Sequence, residues 1–178
     1  IRAYAEDEKP DFTKIYLDRI PEESPVMSDE SVRTLVTASH ERHIPAVFHI
    51  GSNENLRTLI ETGGDGAMHN VYKETLDKTL AVRMAQKGIF VVPTIVAWHN
   101  YSLVVNQRSF THYTSLEYET MDSAHRNALR NPRPDDVVIR AEWRNHDAMH
   151  VGYTANLYPN LKIMKEAGVT ILAGSDAP

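Results

Sequence analysis

Apolar residues recur along this chain with two periods that alternate. Phe12 to Leu17 (FTKIYL) is a short apolar run suited to a buried strand. From Ser28 to His43 the pattern becomes helical, with Val32, Leu35, Val36 and Ser39 on one face and Ser28 or Asp29 as the N-cap. Pro45 resets the chain for AVFHI, a strand of β-branched and aromatic character. Asn53 to Thr62 predicts a short amphipathic helix ended by Gly63 and Gly64. AMHN (67–70) is a very short strand, and Glu74 to Lys87 a helix closed by Gly88. Ile89 to Val96 (IFVVPTIV) is the clearest buried strand. Residues 98–150 break this rhythm: they are polar, contain Asn131-Pro132-Arg133-Pro134, and are too long for an ordinary loop, so they predict a helical insertion. Tyr153 to Ala167 is a further helix with Gly168 at its end, and Val169 to Ala173 the last strand.

Helical connections between apolar strands imply parallel pairing and an α/β fold. Periodicity does not choose between a doubly wound sheet and a barrel. Composition narrows the picture only a little. A length of 178 residues, 42% hydrophobic and 24% charged, is that of one ordinary soluble domain. A net charge of −5 without any run of Lys and Arg argues against nucleic acid or an anionic membrane as partner. The absence of cysteine excludes disulfides and thiolate metal sites. No apolar stretch approaches the roughly 20 residues of a membrane span, and no compartment is indicated. The opening IRAYAEDEKPDF and the closing ILAGSDAP both read as internal sequence, so the expectation is a fragment of a longer chain.

Polar residues stand in or at the ends of four of these strands. Lys14 lies inside FTKIYL, His49 near the end of AVFHI, His69 in GAMHN, and Asp176 after ILAGS. Functional groups of parallel α/β folds collect at the carboxyl ends of strands. Two histidines and a carboxylate from different strands suit zinc or a similar divalent metal. A lysine among apolar strand residues is costly unless paired or modified, which predicts that Lys14 is buried. Each residue alone also has a structural explanation: a hydrogen-bonded histidine, an edge lysine, a Ser-Asp-Ala-Pro turn. It is their conjunction on successive strands that points to a site.

These same positions carry a resemblance. Pro10-Asp11-Phe12-Thr13-Lys14-Ile15 is similar to the fourth barrel strand of amidohydrolases of the imidazolonepropionase and Xaa-Pro dipeptidase kind. PAVFHIGS resembles their fifth strand, ending in a ligand histidine at His49. Gly63-Gly64-Asp65-Gly66-Ala67-Met68-His69 resembles the sixth, Val92-Pro93-Thr94 the seventh, and Ala167-Gly168-Val169 through Gly174-Ser175-Asp176 the eighth. The matches run in order over almost the whole chain.

The resemblance implies a (β/α)8 TIM barrel, present as strands four to eight with a helical insertion after strand seven. It implies metal ligation by Lys14, His49, His69 and Asp176, with Lys14 N-carboxylated to bridge two metals, most simply zinc. Asp176 would carry a proton from the attacking water to the leaving group of a small amide, peptide or cyclic amide. The family's first-strand His-x-His pair has no counterpart here. The alternative is therefore a non-catalytic barrel fragment or binding scaffold, and open strand edges predict a homo-oligomer. In peptide-cleaving relatives an aromatic hydroxyl follows the fifth-strand histidine, whereas Ile50-Gly51-Ser52-Asn53 follows His49. Trp98, His99 and Tyr101 would lie near the pocket mouth as filler. His146 and His150 flank Asp147 in a rival helical zinc pattern, and His40 and His43 share a helical face; both pairs have a surface explanation.

Overall fold

The computed structural model describes residues 8–19, 24–98, 115–130 and 154–176. Its elements in chain order are β1 (Thr13–Tyr16), α1 (Asp29–His40), β2 (Ala46–His49), α2 (Asn53–Thr62), β3 (Gly66–Met68), α3 (Lys78–Gln86) and β4 (Phe90–Val92), followed by α4 (Ser115–Thr120), α5 (Ser123–Arg130) and α6 (154–166). The chain divides into two compact units, one of residues 1–95 with 155–178 and one of 96–154. In the second, α4 and α5 are separated by Asp122, whose carboxylate accepts from Ala124 N at 2.8 Å at the start of α5. Most of the expected 98–150 insertion lies outside the described residues, as do His99, Tyr101, His146, Asp147 and His150.

In the first unit the helices begin where side chains satisfy the free N–H groups of the first turn. Ser28 caps α1, and Asp77 caps α3. Ser52 and Asn55 form a reciprocal capping box on α2. Gly63 ends α2 in the left-handed region, at φ 84°, where a glycine bears no Cβ penalty. α3 starts at Lys78 rather than Glu74, because 70–77 is spent on a loop described below.

The four strands form one parallel sheet in the order β1-β2-β3-β4, and Ile171 adds a parallel bridge to Val91. Strand alternation then sorts the residues by face. Ile15, Phe48, Ala67 and Val91 lie in one register row, and all are buried in the core with α1, α2 and α3. The rows on either side, Lys14-Val47-Gly66-Phe90 and Tyr16-His49-Met68-Val92, point to the opposite face. Gly66 is required there, since a Cβ would strike the Phe90 ring.

FTKIYL and AVFHI are trimmed by a residue or two to Thr13–Tyr16 and Ala46–His49, but two other expected strands are cut far shorter than the apolar runs that predicted them. IFVVPTIV gives only Phe90–Val92, because Pro93 has no N–H to donate and Thr94 turns the chain at φ 45° into a helical turn over 95–98. VTILA contributes only the Ile171 bridge. The architecture is thus α/β with a parallel sheet. Among the described residues no helix is long and apolar enough to cross a membrane.

Candidate functional site

His49 is the last residue of β2, and the face opposite the helices carries it inward rather than into solvent. The Tyr16 ring stacks on it from β1 at 4.1 Å between centroids. The His69 ring meets it nearly edge-on at 4.2 Å. Lys14 lies on the same face of β1 as His49 does of β2. Lys14 is exposed, not buried as its apolar neighbours predicted. β1 is the edge strand of the sheet, so on its outer side no described strand covers that side chain.

His69 follows β3 and is buried. Its Nδ1 lies 2.6 Å from the hydroxyl of Thr94. Burial, aided by the neighbouring charges of His49 and Lys14, lowers its pKa to about 4 against the opposing pull of Asp176 and Asp18. The same field connects the predicted set: Lys14, His49 and Asp176 all lie within electrostatic reach of His69. Asp176 is exposed and comes five residues after the Ile171 bridge. His69, Thr94 and Asp176 all hold positive φ, at 70°, 45° and 55°. For β-branched Thr94 that conformation is strained, by on the order of 1–3 kcal/mol, and such strain concentrates at functional sites.

A buried carboxylate that the sequence reading passed over lies beside His49. Asp18 follows β1, and its Oδ2 is 3.5 Å from His49 Nε2. That approach is too long for a hydrogen bond, and the buried Nε2 has no hydrogen-bond partner among the described residues. The Tyr72 hydroxyl donates a short hydrogen bond to Asp18 Oδ2, and Lys73 Nζ pairs with Oδ1 at 2.5 Å. Burial opposes ionisation of Asp18, but the contacts from His49, Lys73 and Tyr72 and the charge of Lys73 overcome it and lower the pKa to about 2. Gly51 makes room for this cluster, because a Cβ there would collide with the Asp18 carboxylate and the Tyr72 ring. Asn55 ties the cluster's backbone together, donating to Leu17 O at 3.2 Å and accepting from Gly51 N at 3.0 Å.

Tyr72 and Lys73 sit in the 70–77 loop, which is fastened by asparagines. Tyr72 N and Lys73 N both donate to Gly51 O at 3.0 Å. From α6, Asn160 accepts from Leu76 N at 2.9 Å and donates to Val71 O and Glu74 O at 2.8 Å each. Asn156 donates to Tyr72 O at 3.0 Å, and Asn70 returns a bond to Leu157 O at 2.7 Å.

The donor chemistry suits a divalent metal in part. Each histidine has one ring nitrogen facing a protein group, Thr94 for His69 and Asp18 for His49, as the outer partners of ligand histidines do. Among the described residues, however, no three His, Asp or Glu side chains stand close enough to hold a metal as they are. His40 belongs elsewhere: it pairs at 2.8 Å with Asp65, which also accepts from Ala46 N at the start of β2, the end opposite His49.

No family model and no curated protein matches the sequence. Solved structures do. An amidohydrolase superposes with a TM-score of 0.64 at 19% identity, covering 98% of this chain and 36% of that one. A Xaa-Pro dipeptidase with bound methionine in its active site gives 0.60 at 18%, covering 97% and 36%. Ochratoxinase from A. niger gives 0.59 at 16%, covering 98% and 34%. The chain therefore shares its fold with part of these hydrolase structures, and it spans about a third of their length.

Proposed function

We propose that this chain forms the metal-binding part of a TIM-barrel hydrolase that cleaves amide or peptide C–N bonds in small molecules. The observation that carries this reading is the pair of buried histidines, His49 and His69, at the ends of adjacent parallel strands, with Lys14 on the same face and Asp176 in electrostatic reach. Lys14, as a carbamate, together with His49, His69 and Asp176 would hold one or two divalent ions, most simply zinc. When bound, the metal supplies an activated water and a polarised substrate carbonyl. The chain's own part is to fix the ligands. Thr94 holds the His69 ring through Nδ1, and Tyr16 covers a face of His49. Asp176, exposed at the strand end, is free to accept a proton from water and deliver it to the departing amine.

Purified in bicarbonate with zinc, the chain should carry about one metal, lost in His49→Ala and His69→Ala and strongly reduced in Lys14→Ala. Metal content by atomic absorption, with intact mass for the carbamate, tests this. A folded chain without metal would overturn it.

A second reading has its own support. No His-x-His pair occurs in the sequence, and among the described residues no three acidic or histidine side chains converge. A non-catalytic scaffold would give zero metal in the unaltered chain and in all three variants.

A further inference from the structure

We propose that Asp18 is the residue that orients the His49 imidazole, with Nε2–H turned toward its carboxylate and Nδ1 left as the nitrogen with the free lone pair. Nothing in the strand pattern announces this role, which rests on three features of the cluster. First, Nε2 of His49 is a buried polar atom without a hydrogen-bond partner among the described residues, and its ion-pair contact is with Asp18, at 3.5 Å. Buried polar atoms are nearly always answered, so a small closing movement toward the carboxylate is the cheapest way to satisfy it. Second, Asp18 cannot easily turn elsewhere. Tyr72 and Lys73 hold its two oxygens, and its Oδ1 also accepts from Arg19 N at 2.9 Å. Third, the ring of His49 is held between the Tyr16 ring stacked on it and the His69 ring set nearly edge-on, so the remaining freedom is which nitrogen carries the proton.

A neutral imidazole has one N–H and one lone pair, and a carboxylate selects the N–H. With Nε2 protonated, Nδ1 becomes the ligand atom. A carboxylate behind a ligand histidine also raises the basicity of the ring. Asp18 is then a positioning residue: it acts through His49. Tyr72 and Lys73 act one step further out, by holding Asp18 ionised and in place. Lys73 is consequently committed to Asp18 and is not available as an anchor for a substrate carboxylate.

The part of this assignment that concerns tautomer is independent of the metal, while the part that concerns ligation rests on the reading proposed above. The test exploits that split. Nitrogen NMR of the metal-free full chain at about pH 8, where an ordinary imidazole is neutral, reads the tautomer directly. His49 in the unaltered chain should be the Nε2–H form, and in Asp18→Asn it should become a mixture. The single amide oxygen of asparagine cannot serve His49, Tyr72 and Lys73 together. Should Asp18→Asn fail to fold, Tyr72→Phe, which only loosens the carboxylate, should move the ratio in the same direction by less. Zinc affinity, by competition with a chelator, should fall about ten- to a hundredfold in Asp18→Asn. An unaltered chain in the Nδ1–H form, or a tautomer ratio insensitive to both variants, overturns the assignment. A fixed Nε2–H tautomer that is lost in the variants, in a chain that binds no zinc, upholds it and overturns the metal reading instead. Zinc bound with equal affinity with and without the Asp18 carboxylate overturns its role in ligation.

Discussion

Protonating His69 is harder in the folded chain than in the unfolded one, since its pKa falls from an ordinary 6.5 to about 4. The sign follows from proton counting: between these values the unfolded chain binds the extra proton and the folded chain does not, so acid favours unfolding. The metal-free chain should therefore lose stability as pH drops from about 6.5 to about 4, by on the order of 3 kcal/mol. Asp18 adds a loss of the same sign in a lower window, from its usual value near 3.8 down to about 2. Urea midpoints across this range check the claim, and His69→Gln should flatten the upper window only. His49, His69 and Asp176 were conspicuous as candidates, because each is a polar residue closing an apolar strand run. Asp18 and Tyr72 were not. An aspartate after a strand reads as a turn and a lone tyrosine as core, and their hydrogen bond spans 54 residues. The burial expected of Lys14 failed for a related reason: a strand's own residues do not say whether it lies at the edge of its sheet.

At the scale of elements, caps and terminating glycines were read to within a residue or so. Ser28, Gly63 and Gly168 stand where the sequence put them, the last two at φ 84°. The start of α3 was missed because Glu74 to Asp77 has helical composition, yet its backbone is claimed by Asn160 and Asn53. That competition is tertiary and leaves no local trace. It also supports a prediction. Asn160 is buried and makes three hydrogen bonds to the 70–77 loop. Asn160→Ala strands a buried N–H and two carbonyls, so it should cost roughly 2–4 kcal/mol in denaturant unfolding. The same variant should weaken zinc binding, since the loop carries Lys73 and Tyr72. A loss below about 1 kcal/mol would show that water or relaxation replaces the asparagine.

For the molecule as a whole, the α/β class and parallel pairing were legible from alternating periods, whereas the likeness in fold to known hydrolases needed the superposition on solved structures. Both sides of the sheet remain open among the described residues. On one, β1 has no outer partner and Phe12 and Tyr16 are 48% and 45% exposed. On the other, Ile171 and Leu172 follow only a single bridge. Unpaired edges with exposed apolar side chains invite association. Sedimentation should detect oligomers of the chain at roughly 100 μM, and Phe12→Lys should shift them toward monomer. A monomer at that concentration would remove the expectation of self-association.

The asparagine fastening of the 70–77 loop also sets a schedule for biosynthesis. Leu76 and the Asn160 that secures it are 84 residues apart in the chain. At roughly 5–20 residues per second, a ribosome would deliver the anchor about 4 to 17 seconds after the loop. Once β4 is made, early in that interval, all four strands are present, yet Tyr72 and Lys73 have no brace from α6, and the nascent chain exposes the surface that α6 later covers. A slow codon or a pause anywhere between the two lengthens the exposure, which makes this window, rather than the finished protein, the natural target for chaperone capture.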